Sequence, residues 1–90
     1  MSLDHYEFKE VILMKTVDIS LNTIEKVKSF VSTISKYDYD FDLISGRYVI
    51  DAKSIMGIFS LDLSKPITLD IHTDDENIES IIESLKDYLV

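Results

Sequence analysis

Apolar and polar residues trade places along this chain with two different periods, and the switches between them divide it into seven elements. Val17, Ile19 and Leu21 alternate with Thr16, Asp18 and Ser20, which predicts a half-buried strand over residues 16–21. Asn22 then offers an N-cap, and Glu25 three places on completes a capping-box pattern. Ile24, Val27, Val31 and Ile34 follow at helical spacing with Phe30 beside them, so the predicted helix reaches about Ser35 with one face buried. Tyr37, Tyr39, Phe41 and Leu43 next alternate with Asp38, Asp40 and Asp42, the clearest strand pattern in the chain. Ser45-Gly46 reads as a turn, and residues 47–51 as the returning hairpin strand with Tyr48 and Ile50 inward.

A short helix is predicted over residues 53–60, with Ser54 as N-cap. Ile58 and Leu61 share one of its faces at i,i+3 spacing, and Ile55 and Phe59 another at i,i+4. So short a helix cannot bury both faces, which leaves Ile55, Met56 and Phe59 as a patch open to water or a partner. Lys65-Pro66 breaks the chain before a third alternating run, Ile67, Leu69 and Ile71 against Thr68, Asp70 and His72. Asp74, Asp75 and Glu76 suit the first turn of a last helix, whose core stripe is Ile78, Ile81, Ile82, Leu85 and Leu89. The order β-α-β-β-α-β-α predicts a two-layer α+β domain with helices covering one sheet face.

Composition narrows the function classes. Ninety residues make one domain with a single modest core, and 46% hydrophobic with 29% charged residues is the balance of a folded chain. A net charge of −8 repels phosphate backbones, and Lys26, Lys28, Arg47 and Lys53 are too scattered to form a basic stripe, so nucleic acid is not an expected partner. There is no cysteine for a disulfide or thiolate metal site, and no apolar run approaches the ~20 residues of a membrane helix. A cytoplasmic protein without membrane contact is expected. Residues 1–13 (MSLDHYEFKEVIL) read as a loosely attached extension or a vector-derived leader, and residues 14–90 as the domain. Docking of Tyr6, Phe8, Val11 and Ile12 on a neighbouring sheet is the alternative for that extension.

The wording Asp51-Ala52-Lys53-Ser54-Ile55-Met56-Gly57, followed by Ser60-Leu61, resembles the regulatory-serine segment of HPr, the small phosphocarrier of the bacterial sugar phosphotransferase system. It is equally similar to the HPr paralogue Crh, which lacks the phosphocarrier histidine. The order and length of the elements agree with that family from about Met14 to the C-terminus. The resemblance implies an open-faced sandwich whose antiparallel strands lie in the order first, fourth, second, third. It also implies Ser54 as a phosphorylation site for HPr kinase, with Lys53, Ile55, Met56 and Phe59 contacting partners such as that kinase, a CcpA-like regulator or other phosphotransferase components.

The same resemblance exposes a departure. The family's phosphocarrier histidine stands in a Gly-x-His-x-Arg-Pro segment ahead of the first helix, where the helix N-terminus and the arginine favour phosphate. Here the segment is Ser20-Leu21-Asn22-Thr23-Ile24-Glu25-Lys26, which puts Thr23 near the histidine position, Glu25 at the arginine and Lys26 at the proline. A threonine phosphate ester is too stable to pass its phosphoryl group onward, and Glu25 repels an incoming phosphate. His72 stands among Asp70, Asp74 and Asp75, a setting hostile to phosphate, and His5 lies in the extension. No nucleophile–base set, glycine-rich phosphate loop, cofactor motif or metal-ligand spacing is present, and an enzyme is not expected. The expected function is a Crh-type regulatory, protein-binding role. The alternatives are a phosphocarrier using an unrecognised acceptor, or an unmodified decoy of HPr-binding surfaces.

Overall fold

In the computed structural model, which describes residues 13–73 and 77–90, the chain folds in the predicted element order. Strand β1 (Leu13–Ile19) leads to helix α1 (Ile24–Ile34), the hairpin β2 (Asp40–Ser45) and β3 (Tyr48–Asp51), helix α2 (Ile55–Phe59), strand β4 (Ile67–Thr73) and helix α3 (Ile78–Ser84). The strands form one antiparallel sheet in the order β1-β4-β2-β3. It is an α+β open sandwich, as the periodicity and the resemblance lead one to expect. Of the extension expected over residues 1–13, residues 1–12 fall outside the described residues, as does the acidic run 74–76, whereas Leu13 is already the first residue of β1, paired with Thr73.

The core follows from the alternation. β4 buries Ile67, Leu69 and Ile71 and leaves Thr68, Asp70 and His72 half-exposed on the other face. Ile71 and Leu69 stand opposite Phe41 and Leu43 of β2, so the central strand pair contributes an unbroken apolar row. Val27, Phe30, Val31 and Ile34 of α1, Ile81 of α3 with Leu85 just after it, and Ile58 of α2 close over it.

Local starts and stops differ from the sequence expectation where two residues could do the same task. Thr23, not Asn22, caps α1: its backbone is extended and its Oγ1 accepts from Lys26 N at 3.0 Å. The one-residue shift leaves Ile24 at the first helical position, 57% exposed rather than in the core stripe. Tyr37 and Tyr39 precede β2 instead of starting it, because their rings are recruited elsewhere. Tyr37 OH donates to Ser84 Oγ (3.2 Å), and Asn77 Nδ2 donates to Tyr39 OH (2.6 Å), so both tie the lead-in to the α3 side.

The hairpin turn is Gly46-Arg47, one place later than expected, because Ser45 still pairs with Tyr48. Gly46 has φ +61, which suits the first position of a type II′ two-residue loop and which a side chain would strain. Tyr48 therefore sits at the extreme end of the ladder and is exposed rather than inward. α3 stops at Ser84, and Leu89 reaches the core by a single bridge to Ile19. Tyr88, which no periodicity singled out, is buried there, edge-on to Phe30 (5.6 Å, 81°) with its hydroxyl 2.6 Å from Ser29 Oγ.

Candidate functional site

Two helix N-termini carry the chemistry that the sequence raises. At α1, Leu21 is fully buried and Ser20 N donates to Tyr88 O (2.8 Å), which draws the strand-to-helix connection tight against the core. The cap position is Thr23, whose hydroxyl oxygen is already the acceptor for the first turn. Glu25 places a carboxylate in that same turn. No imidazole stands in residues 19–27. This N-terminus offers a phosphate fewer free donors than a bare helix end, and it adds a negative charge.

At α2 the chain is prepared by a chain of short-range bonds. Asp51 Oδ1 accepts from Lys53 N (2.9 Å), and Asp51 O accepts from Ser54 N (3.0 Å), which turns the backbone out of β3. Ala52 is buried at the corner. Ser54 then caps the helix, its Oγ accepting from Gly57 N at 3.1 Å, as expected of the N-cap. Gly57 is tightly placed: a Cβ there would lie 3.3 Å from Ser54 Oγ and 3.4 Å from Ile50 Cδ1. The glycine therefore keeps the space beside the serine hydroxyl open, which the helical pattern alone did not indicate.

The two predicted faces of α2 separate cleanly. Ile58 is fully buried and Leu61 packs against the core. Met56 is 82% exposed, Phe59 42% and Ile55 37%, and Ser54 itself is exposed. α2 packs beside α1 and the end of β3. Lys53 is the residue whose setting departs most from its sequence neighbours. Its Nζ donates to Tyr37 O at 2.7 Å and stands 5.5 Å from the centre of the Phe41 ring. Its charge is thus already engaged by a carbonyl and an aromatic face.

The open face of the sheet collects aspartates. His72 Nε2 lies 3.2 Å from Asp42 Oδ2, Thr16 Oγ1 donates to Asp70 Oδ1 (3.0 Å), and Thr68 Oγ1 donates to Asp18 Oδ1 (3.2 Å). A phosphoryl group on His72 would meet the Asp42 carboxylate directly. Among the described residues no group of three His, Asp or Glu side chains is arranged to hold a metal ion, and no helix is long and apolar enough to cross a membrane.

This architecture, an open-faced sandwich with a serine-capped short helix directly after its β2–β3 hairpin, defines a phosphocarrier-type fold. The family model described as "PTS HPr component phosphorylation site" matches residues 25–90. Among solved structures, HPr-C-His from Thermoanaerobacter tengcongensis aligns with 32% identity over 83% of this chain and 88% of its own, at a TM-score of 0.64. The phosphocarrier protein HPr from Bacillus anthracis aligns with 25% identity over 90% of this chain and all (100%) of its own, at a TM-score of 0.63. The chain belongs to the HPr family of the phosphotransferase system. The range matched by the family model begins at Glu25, so Thr23 and the connection before it lie outside it.

Proposed function

We propose that this protein is an HPr-family member that has given up phosphocarrier chemistry and acts by docking, with Ser54 as a regulatory phosphorylation site. The observation that carries this reading is the occupant of the α1 N-terminus. Thr23 caps α1 with Glu25 two residues on and no imidazole in residues 19–27, and we read this helix start as the place where the family's chemistry needs an imidazole in positive potential. An N–P bond passes its phosphoryl group on readily; a threonine ester does not.

Ser54 supports the other half. Its hydroxyl is exposed, sits at the head of α2, and borders the Met56–Phe59 surface. Phosphorylation there adds about −1.5 to −2 charges and three acceptor oxygens. Those oxygens take over the N–H of Gly57 that Oγ now accepts, so the modification keeps the cap while placing charge beside the apolar patch. Ile55, Met56 and Phe59 form the docking surface, and Met56 supplies the adaptable contact. Lys53 contributes first by fixing the lead-in to α2 through Tyr37 O, and pairing with the phosphate requires it to leave that carbonyl.

Treatment of the purified chain with an HPr kinase and ATP tests the assignment. One phosphoryl group mapping to Ser54 by mass spectrometry, absent from Ser54→Ala, is the expected result. An unmodified Ser54 in a chain that still binds a phosphotransferase component makes the protein a decoy instead. Modification at another residue removes Ser54 from the account.

A further inference from the structure

The two edges of the sheet are finished differently. Along β1 the chain covers its own edge: Ile19 bridges to Leu89, Ser20 N donates to Tyr88 O (2.8 Å), and Val90 N donates to Asp18 O (3.2 Å). β3 forms the opposite edge, and among the described residues no strand lies beyond it. Which of its backbone groups are free follows from the ladder. Ala52 N donates to Phe41 O across the hairpin at 2.9 Å, so by the antiparallel alternation Ile50 and Tyr48 also turn their N–H and C=O toward β2. Val49 and Asp51 turn theirs outward. The Asp51 carbonyl is accordingly met from outside the ladder, by Ser54 N, while Val49 presents both groups to solvent on a residue 63% exposed. The strand carries neither proline nor lysine, two residues that commonly blunt such an edge.

We infer that β3 is a self-association edge and that its occupant is a second copy of this chain, paired antiparallel about Val49. A two-fold axis normal to the sheet keeps inner faces with inner faces, so only registers that pair odd positions with odd are open to it. Centring on Val49 sets it opposite Val49 of the second copy, where the two exchange their outward N–H and C=O groups. The same register sets Tyr48 opposite Ile50 and Arg47 opposite Asp51, each contact occurring twice. A slip of two in either direction sets Arg47 or Asp51 opposite Val49 and loses both opposite-charge pairs. The edge is therefore complementary to itself in charge, in apolar side chains and in hydrogen-bond phase at one register. The product is a continuous sheet of eight strands, four from each copy. The contact is short, about five residues a side, and belongs with weak, reversible interfaces.

Sedimentation velocity on the full chain from about 10 μM to about 1 mM, with amide hydrogen exchange at both ends of that range, tests the pairing. The expected result is a monomer–dimer equilibrium in which protection of the Val49 amide rises with concentration. Val49→Pro removes the central donor without touching the β2–β3 ladder, and is expected to give a folded chain that stays monomeric throughout. Arg47→Glu replaces both attractive pairs with repulsive ones and is expected to weaken dimerisation at least tenfold; it serves equally if the proline variant misfolds. A wild-type chain that remains monomeric across the range overturns the inference. So does a dimer that survives both substitutions, since it must use another surface.

Discussion

Replacing Phe30 with alanine is expected to lower the unfolding free energy by about 3–5 kcal/mol. The side chain is fully buried in the centre of the α1 stripe, and its ring takes the edge of Tyr88, the residue that holds the C-terminal segment against β1. Truncation leaves a cavity where two layers meet and strands the Tyr88 ring without its partner. A domain of this size has a total stability of roughly 0.05–0.15 kcal/mol per residue, so the change removes a large share of it. At about 4–8 °C per kcal/mol the melting temperature falls by roughly 12–40 °C. Ile24→Ala is the matched control on the same helix. Sequence periodicity would give it a similar cost, but its side chain is more than half exposed, and a change within about 0.5 kcal/mol is expected. Urea denaturation of the two variants checks this, and equal losses would contradict the placement of α1.

Met56→Asp is expected to leave the fold untouched and to remove docking. The side chain is the most exposed of the large apolar ones among the described residues, so stability changes by no more than about 0.5 kcal/mol. A carboxylate at that position, one residue into α2, is also compatible with the helix dipole. If the proposed docking surface is right, binding behaves differently, because the substitution forces a charge into the patch a partner would cover. A central anchor contributes about 2 kcal/mol or more, so on the proposed docking role affinity for an HPr kinase, the proposed partner, is expected to fall roughly 30-fold or further. Ile58→Ala gives the reverse pattern, since Ile58 faces the core: lost stability, with little change in affinity per folded molecule. Calorimetric titration of both variants separates the two faces of α2. Wild-type affinity in Met56→Asp would move the docking surface elsewhere.

Much of this fold could be read from the chain because burial imposes a period. The β4 residues Ile67, Leu69 and Ile71 are buried and their neighbours are not, as simple alternation requires. Where the sequence misled, two local solutions were nearly equal in energy and a distant contact chose between them. Asn22 and Thr23 are both good N-caps, and the tight connection held by Ser20 and Tyr88 decides for Thr23. Tyr37 and Tyr39 alternate like strand residues, yet hydrogen bonds to Ser84 and Asn77 draw them off the ladder. Tyr48 shares its parity with the half-buried Ile50, and only its place at the hairpin end exposes it.

At the α2 site, the cap and the division of faces are local properties, and Ser54, Ile55, Met56 and Phe59 stand where spacing puts them. Lys53 does not submit to that kind of reading. Its partners, Tyr37 O and the Phe41 ring, are far away in sequence, and nothing in the residues around it points to them. The crowding at Gly57 is likewise set by Ile50 across the hairpin as well as by Ser54.

Incubation of the purified chain with enzyme I and phosphoenolpyruvate, beside a histidine-bearing HPr as control, bears most directly on whether the carrier chemistry is gone. Phosphorus NMR is expected to show the acid-labile signal of a phosphorylated imidazole in the control and none in this protein. A labile phosphoryl group on any residue here, His72 included, would contradict that conclusion.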